Sequence, residues 1–350
     1  MLFAAKTKGF FLQQDEHSLL MARTSAPTAP FVVEEMIECP VGDAPAIADA
    51  IKRLKPKKSK SRYLHATCGV HPVRSLLRRA TLEPKRLKEP NYLGEILTGQ
   101  FRIEPDKYTV HVLNASDGGD FDLTKATQKD VLFCGIPADD IVAIQDGLLA
   151  SGIYPEDLQL GSVSTLGAIV DYLKFTGSKT PTLVLEVDST TTHSFIVSAS
   201  GIEATRPIAQ GLDAMVPVIQ KELGLKDEES AKKLFFSNTF DFAGMGPLLV
   251  KKLLKELQSS IGFYEVQTGQ SVGQLLCTSI PRKLTWLDGV IASSLGISSL
   301  QCDFAPWLQA RQISVPDGLP VGGLDARWLG LLSLMVTHTS SDVLIPEKKD

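Results

Sequence analysis

The sequence predicts a duplicated α/β fold of two lobes. Three observations lead there: an order of strands and helix that occurs twice, an α+β stretch between the copies, and a composition that can bury a large core. The chain has 350 residues, 43% hydrophobic and 22% charged, enough for two lobes of a duplicated unit.

The first copy opens with a strand at Phe10–Gln14, a polar turn at Asp15–Ser18 and a second strand at Leu19–Thr24. A turn with Pro27 and Pro30 leads to a third strand, Phe31–Cys39, and Asp43 is the N-cap expected for a helix over 44–54. Tyr63–Gly69 reads as a buried strand. The second copy repeats the order. Thr182–Val187 is an apolar strand, Asp188–Thr192 a polar turn, and His193–Ser198 and Ile202–Ile208 flank the tight turn Ser200-Gly201. A helix over 212–223 ends at Gly224, a natural left-handed C-terminal residue, and Gly273–Ile280 is the later strand. Three antiparallel strands, a helix and a buried strand, met twice, describe one duplicated unit, and two such lobes leave a cleft between them.

Between the copies, 73–160 reads as an inserted α+β subdomain with helical character from Tyr92, strands at Tyr108–Asn114 and Asp130–Ile136, and a helix over 138–151. The predicted organisation is therefore a first-lobe core at 1–72, the insertion at 73–160, a return to the first lobe at 161–181 and a second lobe at 182–315. The remainder, 316–350, is a C-terminal helix packing on the first lobe, followed by a polar tail.

Composition excludes several classes. The net charge of −4 argues against a general nucleic-acid binder. Five cysteines, Cys39, Cys68, Cys134, Cys277 and Cys302, contain no CxxC pair and read as free thiols rather than a zinc site or a disulfide framework. The most apolar run, Trp328–Val336, is too short to cross a bilayer, and the start lacks the pattern of a leader peptide.

The order of elements resembles the PilM family of type IV pilus assembly proteins and its relative FtsA. The strongest likeness runs from Gln145 to Ser198. "QDGLLASGIYPEDLQLGSVSTLGAIVDYL" is similar to the helix and strand that lead back into the first lobe. "PTLVLEVDSTTTHSFIVSASGIEATRPIAQGLDAM" is similar to the second phosphate hairpin and its following helix. "LGLKDEESAKKLFF" and "LLKELQSSIGFYEVQTG" look like the next two helices. The resemblance implies an actin-like (ribonuclease H-like, duplicated) fold with an inserted FtsA/PilM-type subdomain.

Family members that bind ATP cradle phosphate with two hairpin turns, each reading Asp-x-Gly followed by small hydroxyl residues. Glycine is needed there because bare backbone must approach the anion. In "FLQQDEHSLL", Gln14 falls at the Asp position and Glu16 at the Gly position; in "LEVDSTTTHS", Glu186 and Asp188 fall there. The residues facing a nucleotide would be Gln14, Asp15, Glu16 and Ser18 from the first turn and Glu186, Asp188, Ser189 and Thr190 from the second. Ser279 of Ser279-Ile280-Pro281 would stand where the family has a Gly-Gly turn under the base. In "DEESAKKLFF" no Glu and Lys fall clearly at the adenosine positions, and Phe235 is the candidate for the Lys position. A carboxylate about 4 Å from one phosphate charge costs about 1 kcal/mol in water and about 4 kcal/mol at an effective dielectric of 20. Two of them facing a triphosphate offset the roughly 8 kcal/mol of a micromolar site. The expectation is no catalytic residue, no resident metal and no cofactor, with Mg-ATP retained only where clustered carboxylates recruit the ion.

Other motifs carry less. Lys52–Arg62 holds seven basic residues in eleven positions and suits a solvated loop better than a lipid or nucleic-acid contact. His65, His71, His111 and His193 stand singly and read as structural. Ser189 and Thr190–Thr192 lack a G-x-S-x-G context for a hydrolase nucleophile. "GLDAM" and "GGLDA" read as helix starts.

The resemblance further implies a cytosolic adaptor that holds the cytoplasmic N-terminal tail of a PilN-like inner-membrane protein in a groove beside the insertion. Candidate groove residues are Leu76, Leu77, Tyr92, Leu93, Ile96 and Leu97. Contacts with pilus motor components follow from the same resemblance, with membrane reached only through the partner. The rival reading is an actin-like ATPase, which intact Asp-x-Gly turns would have favoured. A third, an FtsA-like filament former bound directly to membrane, lacks its amphipathic tail, since Ile345-Pro346 is followed by charges.

Overall fold

The computed structural model describes residues 8–56, 61–122, 129–237 and 239–336, and the chain tail and 57–60 lie outside them. It divides into two compact units. One holds 1–71, 142–168 and 302–350; the other holds 72–141 and 169–301.

In the first unit β1 (Gly9–Gln14), β2 (Ser18–Thr24) and β3 (Phe31–Pro40) form an antiparallel meander. The helix α1 (Ala44–Leu54) starts where Asp43 accepts a bond from Ala46 N, and it buries Ile47, Ala50, Ile51 and Leu54 on the sheet. It returns the chain to β4 (Leu64–Val70), parallel to β1.

The chain then crosses to β5 (Leu76–Thr81) and α2 (Tyr92–Glu95), which continues as a π-helical turn over Ile96–Gln100. The strands β6 (Tyr108–Asn114) and β7 (Asp130–Pro137) close a three-stranded sheet in the order β5-β7-β6. The helix α3 (Ala138–Ala150) leads to β8 (Ile153–Leu160), and α4 (Gly161–Thr176) follows. β8 was expected inside the insertion, but it pairs with β4 at the edge of the first sheet. The reason is local: Ile153 is fully buried beside Leu64 and Leu148, so the strand's apolar start completes the first core.

The second unit repeats the meander with β9 (Thr182–Val187), β10 (Thr192–Ser198) and β11 (Gly201–Ile208). A 3₁₀ turn at Leu212–Met215 runs into α5 (Val216–Leu223), ended by the left-handed Gly224. After α6 (Glu228–Phe235), α7 (Gly246–Leu249) and α8 (Lys251–Thr268), β12 (Gln274–Ser279) lies parallel to β9. Then come α9 (Trp286–Leu295) and β13 (Ser298–Ser299). The helical run from Gly246 is broken at Val250 into α7 and α8.

The chain returns through α10 (Phe304–Ala310) and β14 (Ile313–Ser314), which pairs with β3 in the first sheet. Residues 302–315, expected in the second lobe, therefore belong to the first unit. The apolar α11 (Leu329–Val336) packs on the same sheet, with Gly69 giving room to Leu334. At the entry to α11 the buried Arg327 bridges Glu38 on β3 and Asp325 at 2.7 and 2.8 Å.

The two main sheets thus read β14-β3-β2-β1-β4-β8 and β11-β10-β9-β12-β13. With β14 set aside as an added edge strand, each has the order 3-2-1-4-5 counted from its own first strand, with only the second strand antiparallel to the rest of the core. This is the repeated unit that the doubled sequence pattern required.

Four of the five cysteines are buried free thiols. Burial pushes the Cys68 thiol up to about 12 and Cys277 well above its ordinary value, which makes both inert as nucleophiles at neutral pH.

Candidate functional site

The first hairpin has turned its amide donors inward. The Asp15 carboxylate accepts from His17 N at 2.8 Å, from Ser18 N at 2.7 Å and from Ser18 Oγ at 3.1 Å. Asp15 N in turn donates to Ser18 O at 3.1 Å. This is an Asx turn, closed by its own side chain. The N–H groups that could hold a phosphate already hold a tethered carboxylate, and charge-assisted bonds of this kind are the strong ones. Glu16 is exposed at the tip, near His17, and Gln14 ends β1 with its carbonyl accepting from His71 N at 3.0 Å.

Beneath that turn lies a polar relay that residue type alone did not disclose. His71 sits 3.2 Å from Gln13 Nε2 by one ring nitrogen and 3.3 Å from Ser162 Oγ by the other. Gly161 makes room for the ring: a Cβ there would fall 2.2 Å from His71 Nε2. The relay ties the C-terminal ends of β1 and β4 to the start of α4. Ser162 and Gln13 are both 3% exposed, so the group is structural rather than a nucleophile facing solvent.

The second hairpin is closed by a different device. Asp188 O accepts from Leu212 N at 2.9 Å, and Ser189 O accepts from Asp213 N at 2.8 Å. Thr192 Oγ1 donates to Gln210 O at 2.6 Å. The segment entering α5 is therefore laced onto the hairpin, and Gly211 permits it, because a Cβ at Gly211 would lie 2.4 Å from Asp188 O. Glu186, Asp188 and Ser189 are buried, while Thr190 is exposed. Glu186 lies opposite His193 on β10 and opposite Ser279 on β12. Ser279 is buried, and its hydroxyl finds no hydrogen-bond partner among the described residues. The ladder bulges just before it, where Cys277 N donates instead to Asp288 Oδ1 at 3.0 Å.

Phe235, the candidate for the family's Lys position, is fully buried. It meets Phe242 edge-on at 5.6 Å, and Phe242 stacks on Trp286 at 6.1 Å. Ile280 and Leu284, after the Ser279 turn, pack into the same core. Lys232 is drawn to Asp213 at 2.8 Å and Lys233 to Glu229 at 2.7 Å. Among the described residues no group of three His, Cys, Asp or Glu side chains is placed to hold a metal ion.

The candidate groove residues are differently placed from a groove. Leu76, Tyr92, Ile96 and Leu97 are buried in the core of the three-stranded subdomain, and Leu93 packs against it. Leu77 is buried on the opposite face of β5. The cause is β5 itself, a strand not foreseen, which alternates Leu76 and Leu77 between its two faces. The α2 turn then lays Tyr92, Ile96 and Leu97 over the sheet. Tyr92 is pinned further: its hydroxyl accepts from Glu83 N at 2.9 Å and Arg86 covers its ring at 4.5 Å. These side chains hold the subdomain together and offer a partner no open pocket.

The subdomain is bonded to the second sheet within its unit. Arg79 N donates to Thr205 Oγ1 at 2.9 Å, and Ile202 N donates to Ala115 O at 2.9 Å.

Comparison with solved structures gives the same architecture. A chain of the PilM-PilN type IV pilus biogenesis complex superposes with a TM-score of 0.66, over 96% of this chain and 99% of that one, at 16% identity. The chain has the actin-like fold of PilM. The ethanolamine utilization protein EutJ from Carboxydothermus hydrogenoformans follows at 0.45, with 10% identity over 95% of this chain and 91% of its own. The cytoplasmic domain of EpsL, from the type II secretion system of Vibrio cholerae, stands at 0.40, with 9% identity over 95% and 94%. No family model and no curated protein matches the sequence.

Proposed function

We propose that this chain is a PilM-like adaptor of a type IV pilus or related secretion machine, with a degenerate nucleotide site and no catalysis of its own. One observation supports this above the others: the Asp15 carboxylate takes the amides of His17 and Ser18. A phosphate arriving there must displace a covalently held anion and then face it. Asp188, where the family has glycine, and the filled core around Phe235 work in the same direction. The protein acts in the cytoplasm beside the inner membrane. Among the described residues no helix is long and apolar enough to cross a membrane.

The rival reading, an ATPase, is separated by a thermal shift. Saturating Mg-ATP leaves the melting temperature unchanged on the adaptor reading. A ligand at 100 times its Kd would add about 2.7 kcal/mol, so a clear upward shift overturns it.

The partner on this reading is the N-terminal tail of a PilN-like membrane protein; the likeness to a PilM-PilN complex supports a PilN-like partner. With the apolar residues of the subdomain already buried, the tail is expected to bind mainly by main-chain bonds along β6, the edge strand of the three-stranded sheet. On that strand Val112 O already accepts from Phe121 N and Asn114 N donates to Gly119 O, while Ala115 N donates to Asp130 O toward β7; by alternation Tyr108 and Val110 are the outward-facing residues left for the tail. Hydrogen exchange with a saturating tail peptide is expected to protect the outward-facing amide of Val110, since Tyr108 N already donates to Pro105 O and Thr109 and His111 face β7. Absence of binding at millimolar peptide would sink the proposal.

A further inference from the structure

We infer that one end of the first sheet is a docking face for an anionic lipid bilayer. The strand register brings Gly9, Thr24, Leu64 and Ile153 to this end, opposite the Asp15–Ser18 turn. The C-terminus of α1 arrives at the same place, where Arg23 caps the carbonyls of Arg53 and Leu54 at 2.9 and 3.0 Å.

Charge is concentrated here against the trend of the molecule. Outside the run Lys52–Arg62, 29 Lys and Arg stand against 40 Asp and Glu; among the described residues the run brings Lys52, Arg53, Lys55 and Arg62 to this end and no carboxylate. The acids nearest this end are already matched. Glu34 pairs with Lys8 and Arg23, Glu35 with Arg53, and Glu156 with His65 at 3.1 Å. Lys52 and Arg62 are exposed, and with Lys55 they have no carboxylate partner among the described residues.

The second observation is aromatic. Tyr63 and Tyr154 lie 6.5 Å apart by ring centroid, and His65 is 5.0 Å from Tyr154. The Arg62 guanidinium stands 5.3 Å over Tyr63, and Tyr154 is 45% exposed on the outermost strand. Amphipathic rings beside unpaired cations match the headgroup zone of a bilayer, where tyrosine places its ring below and its hydroxyl in water. Each Lys or Arg adds attraction to an anionic leaflet. A nucleic acid needs cations strung along a path of phosphates, and these form one compact patch.

The test is co-sedimentation of the isolated chain with vesicles, so it is independent of tail capture. Binding is expected to phosphatidylcholine vesicles containing phosphatidylserine and not to phosphatidylcholine alone. It should fall away between about 0.1 M and about 1 M salt, where the screening length shrinks from about 10 to about 3 Å. The triple variant K52E/K55E/R62E is expected to lose at least about a hundredfold in affinity, and Tyr154→Ser several-fold. Should the triple variant melt early, Arg62→Glu alone carries the test, with a loss of about tenfold. Equal binding to neutral vesicles, undiminished binding by a folded variant, or no binding at all overturns the proposal. So does displacement from vesicles by a single-stranded oligonucleotide at lower concentration.

Discussion

Gly211→Ala is expected to destabilise the second unit by about 3 to 5 kcal/mol. A Cβ at Gly211 would stand 2.4 Å from Asp188 O, 2.5 Å from Ser189 O and 2.6 Å from Ser189 C. All three are backbone atoms of a hairpin, so no rotamer change relieves the overlap. Its φ is −123°, which any residue adopts, so the demand for glycine is space alone. To admit the methyl group the segment must lift from the hairpin. That breaks the bonds from Leu212 N and Asp213 N and leaves two carbonyls unsatisfied, at about 1 to 3 kcal/mol each when buried. Forced overpacking adds a similar amount. Amide exchange in β9 and β10 should rise by about two to three orders of magnitude. Gly289→Ala is the control: it is an exposed position inside α9 with nothing within 4 Å of the new Cβ. Unchanged exchange in the Gly211 variant would show that the hairpin is not held from this side.

The doubled meander was legible because each copy alternates or runs apolar between polar turns, and that pattern survives without any motif. What escaped the pattern did so for physical reasons. β5 reads Leu-Leu-Arg-Arg-Ala-Thr, and two central arginines disguise a strand. Arg78 is nonetheless half-buried, and that burial lowers its pKa from the ordinary value. β8 carries Pro155, Glu156 and Asp157, a pattern without strand alternation, so only the likeness to a helix and strand returning to the first lobe marked it. A sheet edge accepts proline and charge, and β8 is an edge. Whether Tyr92, Ile96 and Leu97 line a groove or fill a core turns on β5, the strand that supplies the sheet they cover.

At the hairpins, the acids were visible in the sequence but their work was not. Repulsion between Asp15 and a phosphate follows from residue type. That Asp15 instead satisfies the turn's own amides follows only from the geometry of the turn. The distinction matters for function: removing Asp15 would expose donors as well as subtract a charge. The Gln13–His71–Ser162 relay joins positions 58 and 91 residues apart and leaves no local trace. Gly161 before Ser162 is its one sequence signal, since only glycine fits against the ring.

Phe235→Ala is expected to cost about 3 to 5 kcal/mol, the range for deleting a fully buried aromatic side chain. Phe235 has no exposed surface and touches Phe236 and Phe242 edge-on at 5.2 and 5.6 Å. Such pairs contribute beyond area alone. Leucine at the same site keeps much of the volume and should cost less than half as much, so the pair of variants separates cavity formation from a general defect in α6. Urea unfolding reads both as a fall in midpoint at constant slope. The variant also tests why the base site is closed. If the phenyl group alone stands where a family member holds adenosine, Phe235→Ala will gain a thermal shift with Mg-ATP that the parent lacks. The expectation is no gain, because the Asp15 carboxylate still holds the amides of the first turn.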